Sequence, residues 1–233
     1  MKLVIIFMIL ALMLISQQLF AEEFIVSPMN HASFVMQIGG SVFFVDPVQD
    51  AKSYSVYSPP EFILLTHIHQ DHFKKEVVDE LKSSQTIIIG PKEVIDVLGY
   101  GQVLNNHESK TFDSITIFAI PMYNLTKKRL RFHPKGKGNG YLIQTDENRV
   151  YISGDTEDIP EMRALKRIDY AFICMNLPYT MSVQQAASAV LEFQPRVVYP
   201  YHYRGKDMTS DLYEFKDLLK GSDIEVRLFN WYK

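Results

Sequence analysis

Three histidines and an aspartate fall within six residues, in Thr66-His67-Ile68-His69-Gln70-Asp71-His72-Phe73, directly behind the apolar run Phe62-Ile63-Leu64-Leu65. Ring nitrogens that crowd the end of a buried strand need partners, because a buried polar group left unpaired costs free energy. Neutral imidazole is a good ligand for zinc and related ions, and a carboxylate beside it completes a nitrogen/oxygen set. Alternate side chains of an extended backbone point the same way, so His67 and His69 can grip one ion. Asp71 and His72 follow where the chain leaves the strand for a helix, and can reach a second ion. The plain alternative is a polar loop, or core histidines satisfied by hydrogen bonds. A cluster at this spacing favours metal.

The chain has 233 residues, 47% of them hydrophobic, which suits one sizeable domain and is short for two. Residues 1–21 stand apart. Lys2, an apolar run from Leu3 to Ile15, the polar Ser16-Gln17-Gln18 and Ala21 before two glutamates form the pattern of a secretory signal peptide cleaved after Ala21. Retained, it would be an N-terminal anchor, although its apolar run is shorter than the roughly 20 residues of a spanning helix. The expected mature protein is an exported domain of residues 22–233, periplasmic or secreted, meeting a membrane only if the leader is kept. It holds 23 basic against 27 acidic side chains, a net of −4 compared with −3 for the whole chain, which argues against general nucleic-acid binding. No pattern marks a protein partner. Cys174, the single cysteine, lies in the apolar run Tyr170–Met175, cannot form an internal disulfide, and reads as a buried small hydrophobe.

No repeat, low-complexity tract or linker divides residues 22–233. Short β-rich runs open them, with Gly39-Gly40 as a hairpin signal between 33–38 and 41–46. Phe73, Val77, Val78 and Leu81 then fall at helical spacing. A strand at 86–89, a helix at 91–98 and β runs at 115–120, 141–144 and 149–152 follow. The last third alternates: strand 170–175, a helix opened by the capping box Ser182-Val183-Gln184-Gln185, strand 196–199, helix 211–219 and strand 224–229. Hairpins followed by alternating helices and strands imply packed sheets with helices outside.

Two more polar residues end β runs: Asp155 in Ser153-Gly154-Asp155-Thr156, and His202 in Tyr199-Pro200-Tyr201-His202-Tyr203. Each alone has an ordinary reading, a turn and helix cap for the first and a packed histidine for the second. In their order behind the histidine cluster they resemble the metallo-β-lactamase superfamily of metal-dependent hydrolases, over nearly all of residues 24–229. The resemblance is closest to the small lactonase-like hydrolases of the ascorbate-phosphate lactonase group, whose opening strand pair Asn30–Phe34 and Val45-Asp46-Pro47 resemble. It implies an αββα sandwich, an α/β fold of two packed mixed sheets with helices outside and metals at one edge. It also implies that His67 and His69 bind one ion, Asp71, His72 and His202 the other, and that Asp155 bridges. Zinc, as one or two ions, is the implied metal, with Mn²⁺ or Fe²⁺ as alternatives.

The sequence departs from that family once. A third histidine for the first ion usually follows a β run ending in proline, but here Ile120-Pro121-Met122-Tyr123-Asn124 has none. Asn124 offers only an amide oxygen, a poorer ligand than imidazole, so the first ion is expected to be the weaker. His133 is read three ways: substitute ligand, proton donor, or exposed loop histidine. His31 is assigned a hydrogen-bonded supporting role, Asp46 the orientation of a ligand histidine through its other ring nitrogen, and His107 a surface turn.

Residues 127–137 carry six Lys/Arg in eleven positions. Such a run is usually a solvated loop. The sharper reading is a lid that draws a phosphate- or carboxylate-bearing substrate, with Lys135 and Asn124 as substrate-binding candidates. Tyr123, Phe132, Tyr201 and Tyr203 could form apolar walls. The expected function is hydrolysis of a small anionic ester, lactone or phosphodiester by a water whose pKa the metal lowers, with Asp71 holding that water and His133 or a second water protonating the leaving group. The alternatives are a nucleic-acid phosphodiesterase using 127–137 as its backbone strip, and a non-catalytic metal-binding protein. No nucleophile triad competes, and Gly136 and Gly138 lack the strand and third glycine of a dinucleotide loop.

Overall fold

Alternation of large apolar residues along six short strands distributes side chains to two faces of one sheet. The computed structural model describes residues 24–232, so the leader expected at 1–21 lies outside the described residues. β1 (Ile25–Asn30), β2 (Ser33–Ile38) and β3 (Ser41–Val45) form an antiparallel meander, which β4 (Phe62–Leu64), β5 (Ile87–Gly90) and β6 (Gln102–Val103) extend in parallel. Phe34, Met36, Phe43, Val45, Phe62 and Leu64 enter the main core, whereas Val35, Phe44, Ile63 and Leu65 face the other way. That outer face packs on α1 (Lys75–Leu81) and α2 (Lys92–Leu98) through Val78, Val94, Ile95 and Leu98. Gly39 and Gly40, at φ 62° and 76°, make the tight turn between β2 and β3 that glycine permits without a steric penalty.

The second sheet runs in the order β13-β12-β11-β10-β9-β8-β7. β7 (Ser109–Phe112), β8 (Ile115–Met122), β9 (Gly138–Gln144) and β10 (Arg149–Ile152) are antiparallel, and β11 (Tyr170–Cys174), β12 (Val197–Tyr201) and β13 (Glu225–Val226) continue in parallel. α3 (Pro160–Arg163), α4 (Val183–Phe193) and α5 (Leu212–Leu218) complete this half. The Ser182–Gln185 capping box starts α4, whose Val183, Ala186, Ala187 and Val190 are buried. Two mixed sheets with helices form the αββα sandwich that the resemblance implied. Cys174 is a buried free thiol.

The strand expected at 224–229 is shorter, because the chain leaves the sheet edge after Val226. It inserts Trp231, fully buried, against the rings of Phe34, Phe172 and Tyr201. β6, β7 and α3 were not read from the sequence, being too short or too polar to show a period. The sheets are tied behind the histidine cluster: the Tyr141 hydroxyl donates to the Leu65 carbonyl (2.7 Å) and the Asn139 amide to the Thr66 carbonyl (2.9 Å). Among the described residues no helix is long and apolar enough to cross a membrane.

Candidate metal centre

β4 delivers the chain to Thr66, and Thr66 is fixed by a buried carboxylate from the end of β3. The Thr66 amide donates to Asp46 Oδ1 (2.7 Å), and its hydroxyl donates to Oδ2 (2.6 Å). His72 Nδ1 donates to the same Oδ2 (2.7 Å), and His67 Nδ1 lies 3.0 Å from Thr66 Oγ1. With the hydroxyl proton directed at Asp46, Thr66 Oγ1 accepts from His67 Nδ1–H. The network therefore engages both Nδ1 atoms and directs Nε2 of His67 and His72 at the centre. This is the orienting role expected of Asp46.

Two sets of donors result. His67 Nε2 stands 2.9 Å from His69 Nδ1, and His133 adds a third ring whose ligand atom is within 4.8 Å of both. His133 Nδ1 donates to the Tyr179 carbonyl (3.2 Å), so its Nε2 faces Asp155 Oδ2 at 3.3 Å. The other oxygen, Asp155 Oδ1, lies 3.5 Å from His72 Nε2 and 3.2 Å from His202 Nε2. Asp71 Oδ2 is 3.9 Å and 3.6 Å from those same two nitrogens. One buried carboxylate thus faces two sets, one through each oxygen.

The donor atoms fit metal. His72 Nε2, His133 Nε2 and Asp155 Oδ1 are buried without a hydrogen-bond partner, an arrangement that is costly unless something else engages them. Two ligand atoms on a tetrahedral zinc with ordinary bond lengths are about 3.3 Å apart. The pairs His67–His69 and those of Asp71 and Asp155 with His72 and His202 stand 2.9 to 3.9 Å apart, and His133 lies within 4.8 Å of His67 and His69. Charge agrees with geometry. Burial disfavours the charged forms of His72, His133, Asp71 and Asp155. For His133 burial prevails and the pKa falls to about 4. For His72 burial is outweighed by Asp155, Asp46 and Asp71, which raise it to about 10. Asp155 and Asp71 are held below the usual carboxylate range, against burial, by His202 and His72 for the first and by His72 and a hydrogen bond from His31 for the second. The carboxylates therefore demand positive charge nearby, which a divalent ion supplies.

Backbone geometry at the centre is unusual. His31, Asp46 and His202 have φ of 56°, 44° and 43°, a region non-glycine residues seldom occupy and which persists only where the surroundings enforce it. Gly154 (φ 60°) precedes Asp155, and a Cβ there would come within 2.6 Å of Met122 Sδ. Glycine takes this conformation without strain and leaves room for Met122 where β10 delivers Asp155.

All six expected ligands, His67, His69, Asp71, His72, Asp155 and His202, converge. The ring of His133 stands beside His67 and His69, where the third histidine was missing from the sequence pattern. His31 Nε2 lies 3.2 Å from Asp71 Oδ2, and its ligand atom is also within 4.8 Å of those of Asp71 and His202, so the position suits a donor as well as the expected hydrogen-bonded support; His107 lies exposed in a turn. Two expectations are corrected. Asn124, 1% exposed, does not enter the cavity: its Nδ2 donates to the carbonyls of Tyr179 (2.7 Å) and Arg129 (2.9 Å), fastening the loop that carries His133. Lys135 turns away, its Nζ 3.1 Å from Glu161 Oε1 and 4.5 Å from the centre of the Tyr123 ring. Other charges of the basic run are engaged too. Arg129 pairs with Glu157, whose buried Oε2 accepts the amides of Leu125 and Thr126 (2.5 Å each), and Lys137 faces Glu93 at 3.7 Å. Of the expected apolar walls, Phe132 lines the cavity, and Tyr123, Tyr201 and Tyr203 are buried outside it.

The cavity beside the centre has a volume of about 460 Å³ and is also lined by Asn176, Tyr179, Arg204 and Lys206. A larger hollow, about 720 Å³, opens at the far end of the second sheet around Arg149, Arg167 and Asp169, away from the donor sets. Glu157, Tyr179, Arg204 and Lys206 were not singled out in the sequence. For three of them the only signal is closeness to candidate ligands, Glu157 being two residues past Asp155 and Arg204 and Lys206 two and four past His202, while Tyr179 carries none.

Residues 26–202 match the family described as Beta-lactamase superfamily domain. A metal-dependent hydrolase of Pyrobaculum arsenaticum is 30% identical over 191 residues, covering 75% of this chain and 81% of that protein. A crystal structure from Parabacteroides distasonis, assigned as a metal-dependent hydrolase, has a TM-score of 0.83 at 39% identity, over 91% of this chain and 94% of that one. The metallo hydrolase Igni18 of Ignicoccus hospitalis, at 21% identity, shares the fold with a TM-score of 0.74, over 89% and 95% of the two chains.

Proposed function

The chain belongs to the β-lactamase superfamily and is a metal-dependent hydrolase, and we propose that it cleaves a small ester, lactone or phosphodiester with two zinc ions held side by side. The observation that carries this reading is Asp155, one buried carboxylate with an oxygen on each of two donor sets. His67, His69 and His133 would hold one ion, Asp71, His72 and His202 the other. The nitrogen and oxygen donors suit zinc, and Mn²⁺ or Fe²⁺ would accept the same set. When bound, the metal supplies Lewis acidity and makes water more acidic.

The chain's own residues then have distinct tasks. Asp46 and Thr66, through the Nδ1 atoms of His72 and His67, keep the opposite nitrogens directed at the centre. Asp71 is the carboxylate open to the cavity, its side chain 45% exposed, and His31 orients it to take a proton from the attacking water. His133 has Nδ1 on a carbonyl and Nε2 on Asp155, which supports a ligand role over a proton-donor role. The cavity size supports a small molecule as substrate. The nucleic-acid alternative is weakened, because three of the six cations of its strip, Arg129, Lys135 and Lys137, are engaged by glutamates.

Asp71→Asn tests this reading, because it keeps the size and removes the charge. On the metal-loaded protein, turnover of whichever member of a panel of aryl esters, lactones and bis(4-nitrophenyl) phosphate is cleaved should fall by about 10²-fold or more, with an unchanged far-UV spectrum. Full turnover by the variant, or a native protein purified without chelator that contains no metal, would defeat it.

A further inference from the structure

We propose that the loop following His202 is an anion reader: Arg204, held by Tyr232, and Lys206 grip a carboxylate or phosphate on the substrate beside the bond to be cleaved. This rests on the hydrolase reading of the same cavity. Arg204 and Lys206 line that cavity with Asp71 and His202. Among the described residues neither has an acidic partner, unlike the three engaged cations of residues 127–137. Asp207, the neighbouring acid, does not line the cavity.

The loop is built to a fixed shape. Arg204 bridges to Thr209 across it, and the Gly205 amide donates to the Met208 carbonyl (2.9 Å). A Cβ on Gly205 would stand 1.6 Å from the Leu177 carbonyl oxygen, so no other residue fits between the two cations. The C-terminal segment finishes the work. With Trp231 buried as its anchor, Tyr232 lies under Arg204, the guanidinium carbon 4.3 Å from the ring centre. A guanidinium stacked by its face keeps its N–H edge free for bidentate recognition of a planar or tetrahedral anion. The Tyr232 hydroxyl accepts the Arg204 amide (3.0 Å) and lies 3.0 Å from His31 Nδ1, while His31 Nε2 faces Asp71. One hydroxyl therefore sets the position of the anion reader relative to Asp71, and Tyr232 is a positioning residue. Phe132 and Tyr179, edge to face at 5.1 Å between ring centres, line the same cavity as apolar surface for the organic part of the ligand.

The test compares phenyl acetate with 4-acetoxybenzoate and 4-acetoxyphenyl phosphate on metal-loaded protein, alongside calorimetric binding of benzoate and phenylphosphonate. The native chain should prefer the anionic esters, the two of them telling carboxylate from phosphate. Arg204→Gln should lower the anionic-to-neutral ratio of kcat/KM by about tenfold to a hundredfold, the range for a charge-assisted hydrogen bond. Tyr232→Phe, which keeps the ring, should lower it by about threefold, as expected for one neutral hydrogen bond. Metal content is measured throughout. No preference by the native chain, or a ratio untouched by Arg204→Gln, overturns the proposal. If the native chain cleaves none of these esters but cleaves a lactone or phosphodiester, the bond cleaved is a different one and the hydrolase reading stands; if it cleaves none of the whole panel, that reading fails, and in either case calorimetry decides the anion reader. Either anion binding the native chain about tenfold more tightly than Arg204→Gln supports it, and equal or absent binding overturns it.

Discussion

Two loops flank the histidine cluster, each leaving a strand of the second sheet and each rich in cations. The loop after β8 carries six Lys/Arg between residues 127 and 137, yet three of them are engaged by Glu157, Glu161 and Glu93. The loop after β12 carries only Arg204 and Lys206, and both face the cavity. In the first, charge fastens the loop so that His133 reaches its set. In the second, a glycine contact and a tyrosine fasten the loop and the charge is left available. A count of charges says how basic a segment is. The partners say what the charge is for.

The strongest way to break this contrast is Glu157→Ala. It removes the acceptor of the Leu125 and Thr126 amides and of Arg129 at a buried position, and should cost about 3 kcal/mol in a urea titration, the lower end for removing one partner of a buried pair because Arg129 is partly solvated. It should also lower metal content by unseating His133. Stability and metal content equal to those of the parent would mean that the first loop is not fastened by its charges. A smaller effect sharpens the second loop. Lys206→Gln should reduce kcat/KM for 4-acetoxybenzoate by about threefold, as a solvent-exposed ion contact does, and the difference should fade with added salt. The smallest effect is expected for Lys135→Gln, which should leave kcat/KM for the same ester and the metal content unchanged. A loss matching that of Lys206→Gln would erase the distinction between the two loops.

Much of the fold was legible. Strands 33–38 and 41–45 are β-branched and aromatic runs on either side of Gly39-Gly40, so the hairpin could be read from residue type alone. The helix at 183–193 announced itself through its cap. The donors of the second set were equally readable, because each stands in or just after a strand-like run and carries the right chemistry. The first set was incomplete on paper. Asn124 was placed where a ligand belongs because of its position after β8, but the chain folds back and brings His133 there, with Asn124 tying the fold-back to Tyr179.

Sequence by itself supplied the candidate donors, since side-chain chemistry and strand period are properties of short stretches, while the place of Asp155 between two sets and the sandwich that carries them were implied by the family resemblance. Tertiary structure alone decided that His133 completes the first set, that Glu157 takes up Arg129, and that Tyr232, 201 positions away, meets His31. Those choices depend on where the ends of separate strands and the C-terminal segment are carried when two sheets close on one core. A contact across that distance leaves no period, cap or motif in the residues that make it.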